Sequence, residues 1–132
     1  MKQIAKLAFD FLQLMGFELE EKDPLFGMCV RAGVEHVRSQ INSQQIPADL
    51  TMATVYRIVG EYLQVVLQSG NITPEQMESA VGAVEKQIKQ GDTTITLAVK
   101  DDLTAQQRFD VLIAHLLNAG NTRYGAFRKV RW

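Results

Sequence analysis

The sequence has 132 residues, 46% of them hydrophobic and 22% charged, and its 14 basic and 15 acidic residues give a net charge of −1. This length predicts one domain, residues 1–132, with a core of its own. The near-neutral charge argues against broad electrostatic binding to nucleic acid, which requires an excess of basic residues. The single cysteine excludes an internal disulfide and is expected to be a buried thiol.

The sequence also bears on the cellular compartment. No apolar run approaches the roughly 20 residues that cross a bilayer as a helix. The first residues lack the layout of a signal peptide, because Asp10 interrupts the apolar stretch. We therefore expect no membrane partner and synthesis in a cytoplasm.

Three amphipathic helices are predicted in the first half of the sequence, with apolar residues three and four apart. The first covers residues 2–15 and ends at Gly16, the second runs from Pro24 to about Ser43, and the third covers residues 47–68. The first stripe is Ile4, Leu7, Ala8, Phe11, Leu14 and Met15, with Phe9 and Leu12 outside it. The second stripe is Phe26, Val30, Val34, Val37 and Ile41, widened by Met28, Cys29 and Ala32. The third is Met52, Val55, Val59, Tyr62 and Val66.

Two of these helices carry further information. Gly33 is unfavourable inside an isolated helix, by about 1 kcal/mol relative to Ala, which suggests a close crossing with another helix. The third helix is apolar around most of its circumference, which is typical of a central helix or of one shared between subunits.

Two more helices follow, and each begins with a capping box. Thr73-Pro74-Glu75-Gln76 opens a fourth helix that ends at Gly91, and Thr104-Ala105-Gln106-Gln107 opens a fifth that ends near Gly120. The fifth helix carries the apolar stripe Phe109, Leu112, Ile113, Leu116 and Leu117. The fold class is therefore mainly α, a small bundle of about five helices.

In residues 92–100 the spacing of apolar residues changes from the helical pattern to alternation with polar residues. Ile95, Leu97 and Val99 alternate with threonines, which predicts one extended or β segment near residues 93–99. A single strand leaves its backbone amides without partners. It must fold on itself, cover the helices or pair with another molecule, and we assign Ile95, Leu97 and Val99 to a subunit interface.

The last residues form a basic and aromatic C-terminal segment without acidic residues. Its cations are Arg123, Arg128, Lys129 and Arg131, and its aromatic residues are Tyr124, Phe127 and Trp132. One interpretation is that the aromatic rings cover the core while the cations stay solvated. The other is a docking surface, because Arg and aromatic residues are frequent interface anchors. The two are compatible.

No pattern in the sequence predicts catalysis, a metal site or a cofactor. His36 and His115 lie far apart, without a second ligand at metal-binding spacing. Cys29 precedes His36 by two helical turns, but nothing nearby indicates an activated thiol. The glycines form no phosphate-binding loop. We do not expect an enzyme.

The order of several motifs resembles that of small head–tail connector (adaptor) proteins of tailed bacteriophages and prophages. In the first half these are Leu14-Met15-Gly16-Phe17, Asp23-Pro24-Leu25, Ile46-Pro47-Ala48-Asp49-Leu50 and Gly60-Glu61-Tyr62-Leu63. In the second half they are Gly91-Asp92-Thr93-Thr94-Ile95-Thr96, Gln107-Arg108-Phe109-Asp110 and Phe127-Arg128-Lys129-Val130-Arg131-Trp132. The polar turn at residues 42–45 departs from the family pattern.

This resemblance implies a structural subunit of a ring, commonly of twelve copies, beneath the portal protein of the virion. The ring extends the DNA channel and binds the next head-completion or tail protein. The basic and aromatic segment would then dock on the portal, and assembly would take place in the bacterial host cytoplasm. An alternative from another class is a small nucleic-acid-binding or regulatory helical protein that uses the cations of residues 123–131.

Overall fold

A computed structural model of the chain describes residues 2–20, 22–70, 72–90, 104–118 and 124. Its helices are α1 (Lys2–Leu14), α2 (Pro24–Ile41), α3 (Thr51–Ser69), α4 (Pro74–Gln90) and α5 (Ala105–Asn118), and a 3-10 turn at Ala48–Leu50 precedes α3. The prediction of a small, mainly helical bundle is confirmed. The described residues contain no strand, and the predicted extended segment near residues 93–99 lies outside them.

Helix α3 lies at the centre of the bundle. It packs against α1, α2 and α5, and α4 packs against α5. Residues on several sides of α3 are almost inaccessible to solvent, including Val55, Ile58, Val59 and Leu63. Such all-round burial explains why this helix is apolar around most of its circumference. It is a central helix within the single chain.

Two glycines bring other helices close to α3. A Cβ atom at Gly33 would lie 2.6 Å from Ile58 Cγ1 and 3.2 Å from the Ile58 backbone nitrogen. The close crossing predicted at Gly33 is therefore the contact between α2 and α3. Gly60 has the same role towards α5, because its Cβ would lie 3.0 Å from Leu116 Cβ. That second close approach was not predicted.

Local side-chain bonds define the predicted helix starts. Asp23 accepts a hydrogen bond from the Leu25 amide at 2.9 Å, directly before the first turn of α2. Both predicted capping boxes are present. The Thr73 hydroxyl accepts from the Gln76 amide at 3.2 Å, and the Gln76 side chain accepts from the Thr73 amide at 2.9 Å.

Two helix boundaries differ from the prediction by two residues or more. α2 ends at Ile41, two residues before Ser43, because Asn42 adopts the left-handed conformation with φ of 51°. The α-helical part of the third helix begins at Thr51, not at residue 47, because residues 48–50 form the 3-10 turn. These differences affect ends of helices and leave the order of elements unchanged.

Three apolar residues predicted to lie on buried stripes are exposed. Leu14, Met28 and Met52 expose 54%, 62% and 44% of their surface. The buried face of α1 runs through Ile4, Ala8 and Leu12, together with Phe9, and Met15 directly after the helix is also buried. This face of α1 packs against α3, so Leu12 is fully buried although the predicted stripe excluded it. Helix α2 is likewise turned so that Cys29 faces the core while Met28 and Ala32 face solvent.

Candidate docking site around Tyr124

Of the ten residues predicted to contact partners, the structure describes Tyr124. The other residues assigned to portal docking are Arg123, Phe127, Arg128, Lys129, Arg131 and Trp132, and they lie outside the described residues. The same holds for the predicted subunit contacts Ile95, Leu97 and Val99. Docking and subunit contact through these residues remain predictions.

Tyr124 is buried in a small apolar cluster separate from the main core. We name the residues around it, Val37, Ile41, Leu50 and Ala53, the corner pocket, because they come from the end of α2, the 3-10 turn and the start of α3. Tyr124 is 3% exposed in this pocket. Burial of an aromatic ring stabilises the fold by about 1.5–3 kcal/mol.

This position bears on the two compatible interpretations of the C-terminal segment. The Tyr124 side chain covers apolar residues of the corner pocket, as the interpretation in which aromatic residues cover the core predicts. The spacing of residues 123–132 could not show this, since the pocket is built by residues more than 70 positions earlier in the sequence. Docking of Tyr124 on a partner stays a prediction.

The His36 ring contacts the Tyr124 ring edge to face. Their centroids are 6.0 Å apart and the ring planes meet at 68°. His36 Nε2 and the Tyr124 hydroxyl are both buried, and neither has a hydrogen-bond partner among the described residues. Aromatic contacts of this geometry are favourable, whereas a buried polar atom without a partner loses its bonds to water.

Arg57 connects α3 to the C-terminal end of α5. Its Nη1 donates to the Leu117 carbonyl at 2.9 Å, and its Nη2 lies 2.8 Å from Glu61 Oε1. A cation at this position also faces the negative end of the α5 dipole. The sequence analysis missed this pair. A signal was present, because Arg57 and Glu61 are the two charged residues of α3 and stand four positions apart.

Arg57 and burial together set the charge states of the two rings. Burial lowers the pKa of His36 below its ordinary value, the positive charge of Arg57 lowers it further, and the charge of Glu61 partly opposes this. Burial raises the pKa of Tyr124, and Arg57 partly opposes that shift. His36 and Tyr124 are thus both neutral at pH 7.

The thiol of Cys29 is protonated at neutral pH. Burial, followed by the negative charges of Glu61 and Asp23, raises its pKa to about 11. A protonated thiol is a poor nucleophile and a poor metal ligand. In the part of the chain that the structure describes, no three His, Cys, Asp or Glu residues are grouped to hold a metal ion.

No helix within residues 2–20, 22–70, 72–90 and 104–118 has the combined length and apolarity that a bilayer crossing requires.

Comparison with known proteins identified no similar protein. The chain matches no protein-family model, no curated protein and no solved structure at a significant level.

Proposed function

We propose that this protein is a structural subunit of the head–tail connector of a tailed bacteriophage or prophage. In this role it forms a ring beneath the portal, extends the DNA channel and binds the next head-completion or tail protein. It acts by assembly and uses no cofactor. Its place is the head–tail interface of the virion, after assembly in the host cytoplasm.

The observation that carries the proposal is that four of the seven motifs resembling the connector family lie at or near the start or end of a helix. Residues 60–63 lie in the middle of α3, and residues 91–96 and 127–132 lie outside the described residues. Residues 14–17 include the end of α1, and residues 23–25 contain the cap and first residues of α2. Residues 46–50 contain the 3-10 turn before α3, and residues 107–110 lie in the first turns of α5. These motifs are structural signatures and contain no catalytic residues. The resemblance therefore requires that helices begin and end near the positions of the motifs.

Charge and the position of Tyr124 add support. A subunit that lines a DNA channel must not retain DNA, and a net charge of −1 suits that requirement. Tyr124, which belongs to the proposed docking segment, packs against residues of α2, the 3-10 turn and the start of α3. Phe127 and Trp132 would serve as apolar anchors on the portal, and Arg128, Lys129 and Arg131 would meet acidic or polar groups.

The proposal is tested by binding to the portal protein of the same phage or prophage. A chain that ends at Gly125 retains Tyr124 and should keep the helical circular dichroism of the full chain. It should fail to form the ring on the portal in negative-stain images. Trp132→Ala should weaken portal binding at least thirtyfold, since loss of a buried aromatic anchor costs about 2 kcal/mol or more.

Two matched measurements separate the possible outcomes. Gln106→Ala replaces an exposed residue of α5 and should leave portal binding unchanged. If the shortened chain binds the portal normally, the docking role of residues 126–132 is wrong. If the full chain never binds the portal but shifts duplex DNA in a gel, and the shortened chain does not, the nucleic-acid-binding alternative is correct.

A further inference from the structure

We draw no further inference here: the strongest candidate, the side-chain cluster of His36, Arg57 and Tyr124 beside the corner pocket, has buried polar atoms, but nothing in the structure shows what would bind to them.

Discussion

Gly33 sets the distance between α2 and α3. Its missing side chain lets the Ile58 backbone approach to a point where a Cβ atom would lie 3.2 Å from the nitrogen and 3.3 Å from Cα. Backbone atoms of a central helix cannot move aside without disturbing the contacts that α3 makes with α1 and α5. The small residue therefore serves packing, despite its unfavourable helix propensity.

We expect Gly33→Ala to lower the free energy of unfolding by about 1 kcal/mol. Alanine favours the helix by about 1 kcal/mol, but overpacking in a dense core costs about 1–3 kcal/mol. Urea unfolding monitored by circular dichroism measures the difference. Gly27→Ala is the matched control in the same helix, because a Cβ there has no atom within 4 Å and should stabilise the protein. A Gly33→Ala protein as stable as the parent would contradict this account of the crossing.

At the scale of elements, α5 connects the central helix to α4. It packs against both, and Phe109, Leu112, Ile113 and Leu116 bring its apolar side into the main core. The Thr104 hydroxyl accepts from the Gln107 amide at 3.1 Å, and the Gln107 side chain accepts from the Thr104 amide at 2.9 Å. This reciprocal pair satisfies two amides at the start of α5.

Replacing the cap should weaken the whole bundle, since α5 joins two of its helices. We expect Thr104→Ala to lower the free energy of unfolding by about 1 kcal/mol, as is usual for loss of a capping hydroxyl. Thr104→Ser retains the hydroxyl and should recover most of that loss. Equal stability of the alanine and serine variants in urea would show that the hydroxyl does not stabilise the helix start.

At the scale of the whole molecule, the proposed connector must contact copies of itself. The alternation of residues 93–99 predicts that Ile95, Leu97 and Val99 share one face and the threonines the other. A single apolar strand is a ready site for pairing with a second chain. The subunit interface is therefore predicted from the sequence pattern of this segment.

We expect the double variant Ile95→Asp and Leu97→Asp to abolish ring assembly on the portal while the isolated chain stays helical. Charged side chains would have to leave water at the interface without partners. The matched control is Thr94→Asp with Thr96→Asp, which places the same charges on the opposite face and should assemble. Light scattering of mixtures with the portal gives the assembled mass. Assembly of both double variants would exclude this segment from the interface.

Local signals in the sequence were sufficient for the order and approximate limits of the helices. The caps at Asp23, Thr73 and Thr104 involve residues two or three positions away, and the apolar spacing repeats within a turn or two. The close crossing at Gly33 was also predicted, because a glycine inside a helix is unfavourable unless another element comes close. Caps and apolar spacing depend on neighbours in the sequence, so the sequence alone determined them. At Gly33 the sequence indicated a close crossing but did not identify its partner, Ile58.

Tertiary packing decided the features that depend on residues far apart. Leu12 is buried and Leu14 is exposed because α3 covers one side of α1. A buried face through Leu12 and one through Leu14 both fit the helical spacing of apolar residues. Arg57 bonds to a carbonyl 60 residues away, and Tyr124 fills a pocket formed by α2 and the start of α3. Periodicity shows which residues share a face, but not which face meets another helix. Only the folded chain brings His36, Arg57 and Tyr124 together.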